Sequence, residues 1–254
     1  MTILQKLRAD PSLTALRRSL DVYYGDPARD AAMDRLYSCF LRPGDLAFDI
    51  GSHVGDRIAS FRRLGARVIA AEPQPDCVRV IKALYWADPD LRLVEAAVGA
   101  EAGSIELHLN SANPTVTTAS ADFVRAAQGQ AGWEGQVWDR RVTVPMTTLD
   151  ALVATHGQPA FIKIDVEGFE ADVLAGLTTA VTALSFEFTT IQRNVAYRCL
   201  DRLAALGNYG FNIALGENQT LTFQSSVDNQ AMRAHIAGLP HSANSGDVYA
   251  VLGA

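Results

Sequence analysis

Apolar positions along this chain change period twice, and each change marks a different kind of structure. Over residues 12–40 they recur every three to four positions, at Leu13, Leu16 and Leu20, then at Met33, Leu36, Tyr37 and Phe40. That is the spacing of one helix face. Tyr24-Gly25-Asp26-Pro27 breaks the run into two helices, and Arg42-Pro43-Gly44-Asp45 turns the chain toward a first strand. From Leu46 short apolar runs alternate with helical stretches: LAFDI, a helix over 56–64, ARVIAA, a helix over 75–86, then LRLVEAAV. Such alternation predicts parallel βαβ units joined by right-handed crossovers.

After Gly103 the alternation lapses. SIELHL (104–109) and RVTVP (141–145) read as strands flanking a polar segment that carries Trp133 and Trp138. A connection of about 30 residues is too long for an ordinary surface loop, so residues 110–141 are expected to form a lid or substrate loop with a short helix over 121–128. Thr148 is placed to cap a helix, and AFIKIDVEGFE (160–170) gives a strand followed by a helix to about residue 179. ALSFEF (183–188), a helix over 197–206, and the strands YGFNIAL (209–215), TLTF (220–223) and DVYAVL (247–252) finish the chain, with an antiparallel pair at the end of the sheet. The prediction is a doubly wound α/β fold of about seven main strands. Residues 1–42 would be a helical cap and residues 43–254 the main domain.

With 254 residues and 48% hydrophobic composition, the chain can bury one substantial core with an appended cap. A net charge of -6 opposes attraction to phosphate backbones, and the pairs Arg17-Arg18, Arg62-Arg63 and Arg140-Arg141 lie too far apart to make one basic patch. A nucleic-acid substrate is therefore not expected. Cys39, Cys77 and Cys199 show no CxxC spacing, which argues against a disulfide framework or zinc site and for a reducing cytoplasm. The N-terminal segment mixes charges into its apolar positions, unlike a signal peptide, and no window approaches a membrane span. Stable membrane insertion is not expected, and oligomeric state is unreadable.

Chemistry concentrates at the ends of the expected strands. LAFDIGSHVG (46–55) ends an apolar run in Asp49 and breaks it with Gly51 and Gly55. VIAAEP (68–73) answers about 20 residues later with Glu72, placed to accept hydrogen bonds from ribose hydroxyls. Gly51 permits a sharp turn, and Gly55 permits close packing of the next helix. Ala97 and Val98 follow the third strand and can wall an adenine. Asp165 and Glu187 fall at the ends of the fourth and fifth main strands, at the edge where open α/β sheets take ligands. The G-S-H-V-G loop puts His53 where a dinucleotide fingerprint needs glycine, so its Cβ obstructs a pyrophosphate. An adenosine cofactor without phosphates, S-adenosylmethionine, fits better than NAD.

FDIGSHVGD (48–56), IAAEPQP (69–75), AAVG, GSIEL, TTLDAL (147–152) and IKIDVEGFEADVLAG (162–176) match, in order and spacing, the FkbM family of S-adenosylmethionine-dependent O-methyltransferases, which the chain resembles from about residue 43 to 188. GDVYA (246–250) resembles the family's last strand. The resemblance implies a class I methyltransferase fold, a Rossmann-like seven-stranded sheet with its last strand antiparallel. Gly51 and Gly55 would line the methionine portion, Glu72 would hold ribose, and Ala97-Val98 would approach adenine. Asp49, Ser52, His53, Pro73 and Asp165 complete the expected cofactor set. His53 replaces the small or amide residue often found at its position.

Methyl transfer to an oxygen needs in-line positioning and a route for the proton. Asp165, Glu167, Glu187 and His53 are the candidate bases, with Asp165 foremost. Glu167 can instead cap the next helix, Lys163 can pair with a carboxylate, and Glu170 reads as structural. Asp165, Glu167 and Glu187 would suit Mg²⁺, but no spacing demands it and no metal is expected. Asn113, Thr117, Trp133 and Trp138 are the candidate acceptor contacts, for a hydroxyl on a sugar, glycoconjugate or polyketide-type molecule. S-adenosylhomocysteine would be the coproduct. An NAD(P)-dependent oxidoreductase and a noncatalytic adenosine-binding protein are the alternatives.

Overall fold

The computed structural model describes residues 1–254. Helices α1 (Ile3–Ala9), α2 (Arg17–Tyr23) and α3 (Pro27–Tyr37) precede the first strand, α1 and α2 being joined by a tight helical turn over Pro11–Leu16. Asp26 caps α3 by accepting from the N–H groups of Ala28 and Arg29, with Pro27 at the first helical position. Strand β1 (Leu46–Ile50), helix α4 (Asp56–Arg63), β2 (Arg67–Ala71), α5 (Pro75–Leu84) and β3 (Leu91–Val94) follow as parallel βαβ units. Every residue of LAFDI is buried, as a parallel strand covered on both faces requires.

The run LRLVEAAV is two strands. At Glu95 and Ala96 the chain leaves β3, and Ala97–Val98 (β4) joins a second, three-stranded sheet with β5 (Gly103–Leu109) and β6 (Arg140–Thr147) in the order β4-β6-β5. Helix α6 (Ala121–Ala127) lies within the excursion between β5 and β6. Helix α7 (Leu149–His156) starts at Thr148, whose hydroxyl accepts from the Ala151 N–H. Then come β7 (Phe161–Ile164), α8 (Glu170–Ala175), β8 (Ala183–Thr189), α9 (Arg193–Leu206), β9 (Tyr209–Leu215), α10 (Asn229–Gly238) and β10 (Ser245–Leu252).

The main sheet has seven strands in the order β3-β2-β1-β7-β8-β10-β9. All neighbours are parallel except that β10 runs antiparallel to both β8 and β9. This is the class I methyltransferase arrangement, with the last strand of the chain inserted in reverse. Two local expectations need correction, and one helix was not expected. Thr220–Phe223 is not a strand, although the Thr222 N–H donates to the Ile213 carbonyl; α8 stops four residues before the expected end at 179; and α10 lies where the sequence reading placed no element.

One core layer packs α7 through α10 against the sheet; the other packs α3 and α4 against its opposite face, where Tyr37 meets Phe61 edge-on at 4.8 Å. Leu13, Leu16 and Leu20 bury against Val54, Cys77 and Val80, so the N-terminal helices share their packing with the loop after β1. No helix is long and apolar enough to cross a membrane.

Candidate active site

Strand order reverses between β1 and β7, and the carboxyl ends of the strands open there into a cavity of about 1050 Å³, its mouth included. Open α/β sheets take ligands at this crevice. The loop after β1 forms one wall. Gly51 has φ +84°, and a Cβ on it would stand 1.8 Å from the Asp165 carbonyl oxygen, so only glycine lets this loop pass the end of β7. Gly55 does not line the cavity, contrary to the sequence reading. It adopts φ +87° before α4 and lies against Tyr85 and Tyr24. The hydroxyls of Tyr24 and Tyr85 donate to the Val54 and Gly55 carbonyls at 2.8 and 2.7 Å, fixing the loop from behind.

Glu72 stands just beyond β2 and is 5% exposed. Its Oε2 accepts the His53 N–H and its Oε1 the Gln74 N–H, each at 2.7 Å. Burial pushes its carboxyl up to about 8, against the pull of those two donors. Each oxygen keeps a second lone-pair direction for a ligand hydroxyl. Asp49 is 1% exposed, and neither of its carboxylate oxygens has a hydrogen-bond partner; the Ser52 hydroxyl donates instead to the Asp49 carbonyl, at 2.9 Å. Burial, with the nearby charge of Asp56, raises Asp49 to about 7. A buried acceptor left unpaired costs about 1–3 kcal/mol, more if charged, so a cationic ligand group fits this position. Ser52, Pro73, Ala97 and Val98 also line the cavity.

Asp165 follows β7, Glu167 sits in the next turn at φ +54°, and Glu187 projects from β8. One oxygen of each lies within 4.8 Å of the others, a spacing that a hard divalent cation can share. Three full charges cannot persist so close together. Burial and the charge of Asp165 drive Glu167 and Glu187 well above the usual carboxylate range. Asp165 is also raised by burial, but the positive charges of Lys163 and Arg57 outweigh it and hold the group low. The Lys163 ammonium, fully buried, donates to Asp165 at 3.0 Å and to Asp247 at 2.7 Å. Glu170 pins the turn by accepting from the Val166 and Gly168 N–H groups at 3.0 and 3.1 Å, whereas Glu167 caps nothing.

His53 lines the cavity, but both ring nitrogens are engaged. Nε2 lies 2.8 Å from the Ser19 hydroxyl and Nδ1 3.5 Å from the Cys77 sulfur. Burial lowers the imidazole to about 4, so it is neutral near pH 7. The ring couples α2 to the loop and has no free nitrogen for an acceptor proton.

The excursion between β5 and β6 supplies Pro114, Thr115, Thr117 and Ala119 to the cavity. Gln74 donates to the Thr117 hydroxyl at 3.2 Å, and the Thr118 hydroxyl donates to the Glu167 carbonyl at 2.7 Å. Trp133 and Trp138 lie elsewhere. Trp133 packs edge-on to Phe123 at 5.1 Å, and the Trp138 indole donates to the Val116 carbonyl at 2.8 Å. They form the small core of the excursion itself. Asn113 lines a shallow recess beside the mouth and bonds to Gln136.

Of one further wall, the sequence points only to Tyr23, an aromatic at the break between two N-terminal helices. Arg57 pairs with Asp56 at 2.5 Å and with Glu217 at 3.2 Å, and Arg29 reaches the same two acids at 2.8 and 3.1 Å. Asp56, Arg57, Glu217 and Tyr23 all face the cavity. The adjacency of Asp56 and Arg57 to the glycine loop was the available signal; Glu217 gave none, because only the path of the chain after β9 brings it back.

A model of the methyltransferase FkbM domain matches residues 49–213. Hexuronic acid methyltransferase AglP of Haloferax volcanii is 27% identical over 155 residues, an alignment spanning 59% of this chain and 57% of that protein. Among solved structures, a putative O-methyltransferase from Klebsiella pneumoniae superposes with a TM-score of 0.48 at 8% identity, covering 100% of this chain and 91% of the other. A precorrin-6y C5,15-methyltransferase from Geobacter metallireducens gives 0.44 at 13% identity, covering 91% and 90%.

Proposed function

The chain belongs to the FkbM methyltransferase family, and from that membership we propose that it is an S-adenosylmethionine-dependent O-methyltransferase acting on a hydroxyl of a sugar, glycoconjugate or polyketide-type small molecule. The observation that carries this reading is one cavity holding Asp49 and Glu72 on one side and the Asp165, Glu167 and Glu187 group on another. A relative named for a hexuronic acid substrate supports a sugar as the acceptor.

Glu72 is the residue for the ribose hydroxyls, and the unpaired Asp49 carboxylate suits the ammonium of the methionine portion. Ala97, Val98 and Leu107 give an apolar surface for adenine. When bound, S-adenosylmethionine supplies an electrophilic methyl group. The chain's own part is to hold the acceptor oxygen in line and receive its proton at Asp165, a contribution of about 10²–10⁴-fold for a positioned base. Glu167 and Glu187, whose carboxyls burial and the charge of Asp165 push well above the usual range, line the cavity where neighbouring acceptor hydroxyls would lie. Thr117 and Tyr23 extend that polar surface toward the mouth. Cys39, Cys77 and Cys199 are free thiols, in keeping with a reducing cytoplasm.

The test is incubation of the protein with S-adenosylmethionine and a panel of neutral, amino and uronic glycosides and hydroxylated polyketides. Coproduct is followed by mass spectrometry and the new methyl group is located by NMR. Methylation at a hydroxyl is expected. Transfer to nitrogen or carbon, or donor consumption by none of these alcohols, contradicts the proposal.

A further inference from the structure

Beside the mouth of the cavity lies a recess of about 450 Å³, counting the space open to solvent, between α2 and the excursion that joins β5 to β6. Helix α2 supplies Arg18, Ser19, Val22 and Tyr23, whose i, i+4 spacing puts them on one face, and the excursion supplies Asn113 and Thr115. Tyr23 and Thr115 also line the cavity, so the two spaces adjoin. The recess is held in shape from beneath. The buried Ser19 hydroxyl lies 2.8 Å from His53 Nε2 and 3.4 Å from the Thr115 hydroxyl, and Asn113 donates to Gln136 at 3.2 Å. Helix α2, the loop after β1 and the excursion thus meet at one hydroxyl.

Charge is divided unevenly between the two spaces. Seven carboxyl side chains and one guanidinium line the cavity, and that guanidinium, of Arg57, is occupied by Asp56 and Glu217 at 2.5 and 3.2 Å. Arg18 is the only charged residue of the recess, and it is exposed and makes no ion pair or hydrogen bond. Its neighbours are already committed. The Arg17 guanidinium donates to the Arg8 carbonyl at 2.9 Å, and Asp21, the one acid of α2, pairs with Arg8 at 2.8 Å. An anionic substituent carried into the cavity would be opposed by that acidic lining. At the recess it meets an unopposed guanidinium, whose planar fork of N–H donors matches carboxylate or phosphate oxygens.

We propose that the recess is an acceptor subsite for an anionic substituent, a carboxylate or a phosphate ester, held by Arg18 with Asn113 and Thr115 beside it, while the hydroxyl to be methylated enters the cavity. The proposal rests on the reading of the cavity as a methyl-transfer site. Arg18 is then a specificity-determining residue. It selects charged over neutral glycosides and orients the acceptor by keeping its anion at the mouth.

The experiment measures the binding of three matched probes, methyl glucoside, methyl glucuronide and methyl glucoside 6-phosphate, to the whole chain saturated with S-adenosylhomocysteine. At least one of the two anions should bind about fivefold or more tighter than the neutral glucoside. Tighter binding of the glucuronide or of the phosphate tells which anion the subsite takes, and an equal gain means that it reads charge alone. Arg18→Gln should remove the preference, Arg18→Lys should keep part of it, and added salt should weaken it. S-adenosylhomocysteine affinity should be the same in Arg18→Gln and the wild type. Equal affinities of the three probes, binding of none of them, or a preference that survives Arg18→Gln overturns the proposal. So does weaker S-adenosylhomocysteine binding by Arg18→Gln, which would give Arg18 to the donor's own carboxylate. S-adenosylhomocysteine binding without a preference for the anions defeats the subsite alone, whereas no such binding by the wild type defeats the methyl-donor reading on which it rests.

Discussion

The His53 N–H donates to Glu72 Oε2 across 2.7 Å, so the loop after β1 and the acid after β2 are one hydrogen-bonded unit. Glu72 also receives the Gln74 N–H at 2.7 Å. Glu72→Gln keeps the size of the side chain but turns one acceptor into a donor facing a backbone N–H. Hydrogen bonds to charged groups are worth about 1.5–3 kcal/mol. S-adenosylhomocysteine affinity should fall by about tenfold or more, with the fold intact by circular dichroism. Unchanged affinity would separate Glu72 from ligand binding.

The two glycines of the loop should respond differently to alanine. At Gly51 the added Cβ meets the Asp165 carbonyl oxygen at 1.8 Å, a backbone atom that cannot step aside. At Gly55 the nearest atom is the Tyr85 ring at 3.0 Å, a side chain that can shift. Both carry the cost of positive φ, on the order of 1–3 kcal/mol. Gly51→Ala should therefore lower the melting temperature more and abolish S-adenosylhomocysteine binding, whereas Gly55→Ala should weaken it. Equal effects in calorimetry would contradict this difference.

Proton release on ligand binding follows from the buried acids. Asp49 at about 7 and Glu72 at about 8 both lie above their ordinary values, so the free protein is partly protonated there at pH 6.5. A cationic amine beside Asp49 and hydroxyl donors on Glu72 favour the ionised forms. S-adenosylhomocysteine should bind more tightly at pH 8 than at pH 6.5, and titrations in buffers of different ionisation enthalpy should show protons released. Asp49→Asn should release fewer. Binding that takes up protons would contradict the placement of both acids.

Stability without ligand should move the other way. A raised folded-state pKa means that the folded chain holds more protons than the unfolded one, so stability declines as pH rises through the window up to about 8. His53, lowered to about 4, opposes this only below its ordinary value near 6.5. Urea melts should accordingly show a loss of stability between pH 6.5 and 8.5, smaller in the presence of S-adenosylhomocysteine. A rise over that interval would be inconsistent with these buried carboxyls.

Trp133 has become a test of the excursion's own packing. It is 9% exposed and set against Phe123, away from the cavity. Trp133→Ala should cost about 3–5 kcal/mol, as large-to-small core substitutions do. Hydrogen exchange should rise over residues 114–138 while S-adenosylhomocysteine still binds. Protection unchanged there would show that the small core does not hold the excursion.

Asp49, Glu72 and Asp165 were legible in the sequence because a parallel strand ends where its apolar run ends, and the sheet then gathers those ends at one edge. The βαβ half of the fold was legible for the same reason. The second sheet was not, because LRLVEAAV has uninterrupted strand character across Glu95 and only tertiary pairing divides β3 from β4. Trp133 and Trp138 were misplaced because an aromatic residue in a long polar segment serves equally as a ligand platform or as the core of that segment. Asp247 and Glu217 reach the site through side-chain contacts 84 and 160 positions apart in sequence, which no local pattern encodes.

Calorimetric titration of the whole chain with S-adenosylhomocysteine, repeated with NAD, decides the matter at its root. One equivalent of S-adenosylhomocysteine should bind, with no binding of NAD. Absence of S-adenosylhomocysteine binding at a concentration on the order of 1 mM, or NAD binding in its place, would contradict the assignment of the cavity above β1 and β7 to a methyl donor.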